Sequence, residues 1–336
     1  APDDGVAGDG FGFSVSVSGD QILIGAPYAT VDGNGGEGTA YVFTRADGSW
    51  SQRAKLAPDD GAASFNFGWS VALSGANAVV SAPVAPVGNN ALQGKAYVFA
   101  ENAGTWTQTQ ALVASDGSAS ATFGSAVALD GNTAVIGANG VNAYFGAAYV
   151  FDGSSGSWLQ TGELVPDDGV ATEFFGLAVA VSGTTALVGA YNQRVGSNSG
   201  QGSAYIYTES GGSWTQQQKL TASDGAASAR FGLSVALDGE TALIGSYFAA
   251  IDGHVRQGAA YLFSRSGTTW TQSGKLVASD GVAEDHFGNA VALSGPAALV
   301  GAFDVAIDGN ESQGAAYFYT QAADDTIFAN GFDGAP

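Results

Sequence analysis

The stretch Phe231-Gly232-Leu-Ser-Val-Ala-Leu-Asp-Gly-Glu-Thr-Ala-Leu-Ile-Gly245 holds two strand signals and the turn between them. From Gly232 to Gly239, small and branched residues alternate with period two, the pattern of a strand with two unlike faces. One face carries Val235 and Leu237, the other Ser234 and Ala236. A face of small residues fits a crowded place, such as the innermost strand beside a propeller axis. Thr241 to Gly245 is a short apolar run between turn residues, which suits a strand covered on both sides. Only Asp238-Gly239-Glu240 separates the two runs, a tight hairpin signal. Outward from this pair, a longer loop ends at Gly258. Ala259-Ala-Tyr-Leu-Phe263 is rich in strand formers, and Trp270 to Leu276 alternates again.

The same unit recurs along the chain. Phe-Gly stands at Phe11, Phe67, Phe123, Phe175, Phe231 and Phe287, with spacings of 56, 56, 52, 56 and 56 residues. A fixed period of this size signals an array, a solenoid or a propeller. Four antiparallel strands per unit, six times over, predict an all-β fold: a six-bladed β-propeller of four-stranded antiparallel blades. It is expected to close as one domain over residues 1–323, with repeats starting near 11, 67, 123, 175, 231 and 287, followed by a tail over 324–336. In the fourth run, Trp50, Gln52 and Leu56 are expected to share one face, as are Trp106, Gln108 and Leu112. The sixth unit lacks that Trp run. Thr326-Ile327-Phe328 falls where its fourth strand would begin, so the tail either completes this blade or leaves an edge open to a neighbour.

Composition narrows the function. The 336 residues carry a net charge of −21 with only 10 Lys plus Arg, which excludes nucleic acid as a partner, since phosphate binding needs a basic patch. No apolar run reaches the ~20 residues of a spanning helix, so no membrane span is expected. The chain has no Cys and no Met and starts Ala1-Pro2-Asp3. It is therefore expected to be a secreted protein whose signal peptide has been removed, and a large propeller needs no disulfide staples.

Chemistry-bearing constellations are missing: no nucleophile elbow, phosphate loop or metal-spaced His or Cys is present. His254 lies in a polar loop, and His286 occupies the variable position before Phe-Gly, filled elsewhere by Asn66, Thr122, Phe174 and Arg230. The expectation is a non-enzymatic protein that requires no cofactor. The repeated Asp4, Asp60, Asp116, Asp168, Asp224 and Asp280 each precede Gly and are expected to be structural, closing a turn by bonding their own backbone. The variable loops between second and third strands are the candidate binding rim, because loops on a rigid scaffold carry most binding. Their polar residues are Asp32, Asn34, Glu37, Asp252, His254, Asp308, Asn310 and Glu311. The repeated Trp residues suit packing between blades, with stacking on sugars as the alternative; Trp69 stands apart from that set.

Phe11-Gly12 with Ile24-Gly-Ala-Pro27, and Phe67-Gly68 with Ser81-Ala-Pro83, resemble the FG-GAP repeat of integrin α-chain propellers. The chain is most similar to the bacterial variety, which carries Ala-Tyr-Val-Phe and Trp-Thr-Gln-x-x-Lys-Leu later in each unit. The ending Ile327-Phe-Ala-Asn-Gly-Phe-Asp333 resembles tails of exported proteobacterial proteins. The resemblance implies an extracellular or cell-surface binding or adhesion module for a protein or glycan; the alternatives are a lectin, or a subunit that assembles with copies of itself into a filament or surface layer. Integrin repeats place a calcium loop between the first and second strands. Here Ser18-Gly-Asp20 or Ser74-Gly-Ala76 stands in its place, with too few oxygen ligands for Ca2+.

Overall fold

Each Phe-Gly pair opens a four-stranded antiparallel sheet whose strands follow one another in chain order. A computed structural model describes residues 1–321 and 328–330. The fold is all-β: six such sheets are the blades of a six-bladed β-propeller. Contacts divide the chain into two compact units, residues 1–165 and 166–336.

In the first unit, blade 1 is β1 (Ser14–Ser18), β2 (Gln21–Ala26), β3 (Thr39–Ala46) and β4 (Ser49–Leu56). Blade 2 is β5 (Val71–Ser74), β6 (Asn77–Ala82), β7 (Lys95–Asn102) and β8 (Thr105–Leu112). Blade 3 is β9 (Phe123–Asp130), β10 (Thr133–Ala138), β11 (Ala147–Asp152) and β12 (Leu159–Leu164). Leu23, Val42 and Leu56 of blade 1 pack with Phe67, Val71, Leu73 and Tyr97 of blade 2. Val79, Val98 and Leu112 of blade 2 pack in turn with Phe123, Ile136, Tyr149 and Trp158 of blade 3.

In the second unit, blade 4 is β13 (Val179–Ser182), β14 (Thr185–Ala190), β15 (Ser203–Ser210) and β16 (Ser213–Leu220). Blade 5 is β17 (Val235–Asp238), β18 (Thr241–Ser246), β19 (Ala259–Ser266) and β20 (Thr269–Leu276). Blade 6 is β21 (Phe287–Ser294), β22 (Ala297–Ala302), β23 (Ala315–Gln321) and β24 (Phe328–Asn330). The same packing joins Leu187, Ile206 and Leu220 to blade 5, and Leu243, Leu262 and Leu276 to blade 6. β24 pairs with β23 through Asn330, Ala329 and Phe328 and supplies the fourth strand of blade 6. Thr326 and Ile327 lie outside the described residues.

Within each unit, the small-residue face of the innermost strand turns toward the next blade. Leu73 N–H donates to Ser16 Oγ at 3.0 Å and Val127 N–H to Ser70 Oγ at 3.1 Å. In the second unit, Gly239 N–H donates to Ser182 Oγ at 3.1 Å. The hydroxyls thus satisfy strand backbone across the blade boundary, where an unpaired buried N–H would cost about 1–3 kcal/mol.

One expectation fails. Trp50 and Gln52 do not share a face with Leu56. A bulge in the β3–β4 ladder pairs Phe43 with Gln52 but Val42 with Ala54, leaving Arg53 extra. An extra residue flips every side chain beyond it to the other face. The same bulge recurs in blades 2 to 5. Leu therefore packs toward the following blade, while Trp and Gln turn the other way.

Candidate binding surface

The loops of the predicted rim are built first by turn chemistry. Val31 pairs with Asn34 across a two-residue turn in which Asp32 and Gly33 both have positive φ, 49° and 89°. Such turns favour Asp-Gly. Ile251–His254 and Ile307–Asn310 repeat the arrangement. Asp32, Asp252 and Asp308 are exposed at the three tips. Glu37 is buried: its carbonyl accepts Phe67 N–H at 2.8 Å, and its carboxylate accepts the Asn34 amide at 2.7 Å. Gln93, Gln201 and Gln257 fill the same place, and His254 Nδ1 lies 3.2 Å from Gln257 Oε1. Asn34, Glu37 and His254 thus brace the loops. Asn310 and Glu311 are exposed on blade 6. These eight residues fall on three blades, blade 1 of the first unit and blades 5 and 6 of the second.

The repeated Asp takes partners beyond its own turn. Within each blade it accepts the hydroxyl of the Tyr 37 residues further on: Tyr41–Asp4, Tyr97–Asp60, Tyr205–Asp168, Tyr261–Asp224 and Tyr317–Asp280, all at 2.7–2.9 Å. Lys55, Lys219 and Lys275 of the fourth strands add ion pairs at 2.5–2.6 Å to Asp4, Asp168 and Asp224. In blade 2 the lysine is moved to the third strand, where Lys95 meets Asp60 at 2.5 Å. Burial alone would raise the carboxyls of Asp60, Asp168 and Asp224, but the Lys and Tyr bonds outweigh it and hold them below the usual range. Blade 3 has Glu163 in the lysine's place, and burial, aided by Asp116, pushes that carboxyl up. The neighbouring backbone is tied down too: Asp3 N–H donates to Gln52, Asp59 to Gln108 and Asp167 to Gln216, at 3.0–3.1 Å. All four lysines of the chain are used in these latches.

What remains is a strip of positions that break the repeat. It lies in the second unit, where the residues before Phe-Gly meet those just after the second strand. Phe174 stacks on Tyr191 at 5.2 Å, and the Arg230 guanidinium lies 5.4 Å over Tyr191. Arg230 also reaches the side-chain oxygen of Asn192, a neutral partner. Arg256 lies 4.8 Å over Phe248 and 3.3 Å from Glu284. A pocket opens between Ser228, Arg230, Phe248, Val255 and Arg256. Beside it, His286 stacks on Phe303 at 5.1 Å with the rings 7° apart, and its Nδ1 sits 2.8 Å from Asp304. Its buried Nε2 makes no hydrogen bond but lies 3.6 Å from the Glu284 carboxylate. Burial raises the Tyr191 and Tyr247 hydroxyls, against the pull of Arg230 on both. In the first unit, Phe13, Tyr28 and Trp69 form a smaller aromatic group, with ring separations of 5.8 and 4.6 Å.

No repeated residue marks this strip in the sequence. His286 belongs to the variable position before Phe-Gly, with Asn66, Thr122, Phe174 and Arg230, and that variability is the one signal of the strip in the sequence. The Trp residues divide: Trp158 and Trp270 are buried, whereas Trp50 is exposed beneath Arg45.

The family model described as FG-GAP repeat matches six times, over residues 1–43, 50–99, 106–151, 158–207, 214–263 and 270–319. The chain belongs to the FG-GAP repeat family. FG-GAP repeats are typical of extracellular proteins, and the FG-GAP propeller is compatible with a binding or adhesion role. No curated protein matches the chain. Among the described residues, no helix is long and apolar enough to cross a membrane.

Proposed function

We propose that this FG-GAP protein is a secreted, non-enzymatic binding module, and that the strip from Phe174 to Phe303 is its contact surface for an extracellular protein or glycan. The observation behind this is the pocket between Arg230 and Arg256 on the Phe248 ring. Aromatic rings and arginines are the residues that most often dominate binding energy, and two of the chain's few cations meet here on an acidic molecule. Arginine forks recognise carboxylates, and rings stack on sugar or side-chain faces. Binding of this kind uses no metal or other cofactor.

The test is binding of the labelled protein to a panel of immobilised neutral and uronate glycans and matrix proteins. Binding to one class should fall at least ~10-fold in Arg230→Ala with Phe248→Ala, since each such contact is worth more than about 1 kcal/mol. It should be unchanged in Asp32→Ala with Asp252→Ala. Loss in the second pair but not the first would move the site to the loop tips. Reproducible turnover of any panel substrate would remove the non-enzymatic reading.

A further inference from the structure

The turn after the second strand differs in blade 1 from its copies in two residues. Val31, Val87, Val195, Ile251 and Ile307 pair across it with Asn34, Asn90, Asn198, His254 and Asn310. The Asn side chain then braces the loop. Asn34 Nδ2 donates to Glu37 at 2.7 Å, Asn90 to Gln93 at 2.8 Å and Asn198 to Gln201 at 2.9 Å. Asn90 and Asn198 also donate to the Gly117 and Gly225 carbonyls, at 3.3 and 3.2 Å. Asn34 makes only the Glu37 bond among the described residues. Blade 1 has Gly35 next in the chain, where Ala91, Ser199, Val255 and Glu311 stand elsewhere. It also has Glu37 in the place of Gln93, Gln201, Gln257 and Gln313.

An Asn followed by glycine is open to one reaction. The glycine nitrogen attacks the Asn Cγ, the side-chain nitrogen leaves as ammonia, and a cyclic succinimide forms. Water then opens the ring to Asp or to isoaspartate, whose backbone runs through the side-chain carboxyl. A side chain on the following residue obstructs the attack, and glycine has none. At Gly35 the way is clear: its N–H donates to nothing among the described residues, the residue is exposed, and nothing lies within 4 Å of a Cβ placed there. The pair Asn139-Gly140 is the internal contrast. There the Gly140 N–H is held by the Ala121 carbonyl at 3.1 Å and Thr122 Oγ1 at 3.0 Å, and the Asn139 side chain accepts the Thr122 hydroxyl at 2.9 Å. Gly331, after Asn330, lies outside the described residues.

We infer that Asn34 is a site of self-modification: its amide is lost through Gly35 to give Asp or isoaspartate, and the seam between blades 1 and 2 loosens as a result. The loop beside Asn34 carries that seam. The carbonyls of Gly35, Gly36 and Glu37 accept the N–H groups of Ser64, Asn66 and Phe67 at 3.0, 3.0 and 2.8 Å. The reaction exchanges the donor facing Glu37 for a second carboxylate. Glu37 is 4% exposed, and two carboxylates this close cannot both stay ionised. No free charge on blade 2 relieves the pair. The Tyr97 hydroxyl, which feels the Glu37 charge, is bonded to Asp60, and Lys95 is paired with the same Asp60. Isoaspartate in addition lengthens the backbone by one methylene just before the three carbonyls. In the other blades Gln would accept or donate equally well, so the penalty belongs to blade 1. The step needs only water, runs once per molecule and does not reverse. It does not depend on the ligand-binding reading.

Timed peptide mapping of the full chain in mildly alkaline buffer tests the inference. The peptide holding Asn34 should convert from amide to acid at least ~10-fold faster than those holding Asn90, Asn139 and Asn198. Gly35 has no positive φ and open space around it, so Gly35→Ala folds and should slow the conversion by the same factor. The consequence is read on freshly made variants. Asn34→Asp should lower Tm by roughly 2–4 °C. Asn34→Asp with Glu37→Gln should recover most of that loss, because the Gln amide then donates to the new carboxylate. Aged wild type should melt with Asn34→Asp or below it. Conversion of Asn34 no faster than that of Asn90, an unchanged rate in Gly35→Ala, or an Asn34→Asp that melts with fresh wild type would each overturn the inference.

Discussion

Alkaline pH should unfold this protein abruptly. Tyr41, Tyr97, Tyr149, Tyr205, Tyr261 and Tyr317 sit at one repeated position, none more than 8% exposed. Burial first, then the hydrogen bond to the repeat Asp and its negative charge, push all six hydroxyls far above their ordinary value. A group whose folded pKa is raised contributes stability that is fully present below its unfolded pKa, here about 10, and is lost as pH rises through the folded value. Above pH ~10 the unfolded chain ionises these tyrosines and the folded chain does not. Each then withdraws about 1.4 kcal/mol per pH unit, and six withdraw about 8 kcal/mol. A folded domain holds roughly 5–15 kcal/mol in total, so unfolding should complete within about two pH units above 10. The assay follows tyrosinate absorbance and β-sheet circular dichroism in one titration. The two signals should change together in a steep, cooperative step. Gradual ionisation of the buried tyrosines near pH 10 with native dichroism retained would refute the latch geometry.

Three further outcomes follow from the same contacts. Glu163→Lys should give blade 3 the lysine that pairs with the repeat Asp elsewhere and relieve repulsion with Asp116; because the site is only partly shielded from water, the gain is up to about 1 kcal/mol, a rise of ~1–3 °C in a thermal melt. Gly245→Ala should cost about 2–3 kcal/mol and lower Tm by roughly 5–10 °C, because the new methyl meets the Gly288 carbonyl oxygen and Ser234 Oγ, whereas the same change at Gly301 should leave the melt nearly unmoved. A chelator should leave Tm unchanged if the fold needs no metal; a fall reversed by calcium would show that it does.

The fold was legible because its instructions are repeated. Phe-Gly recurs six times and the two-residue turn after the second strand five times, and each recurrence performs the same local task. The face of Leu56 was not legible, because parity counting assumes an unbroken ladder and the bulge at Arg53 breaks it. The partners of the repeat Asp were hidden for a different reason. An Asp-Gly pair already explains itself as a turn, and Tyr41 and Lys55 lie 37 and 51 residues beyond Asp4 in the chain. Only the closing of the blade brings the three together.

The candidate site was least legible, since it consists of what does not repeat. Arg230, Tyr247, Phe248 and His286 occupy positions where other blades place unrelated residues, so no period marks them. The contrast separates two kinds of cation. A lysine inside an Asp–Tyr latch is committed to the framework, because its loss leaves a carboxylate beside a buried tyrosine. Arg230 spends its charge on a neutral Asn192 and the face of Tyr191. Replacing it should leave folding nearly untouched and remove binding, while replacing Lys219 should lower stability and leave binding intact. A variant pair that behaved the other way round would place the contact surface on the framework and not on the strip.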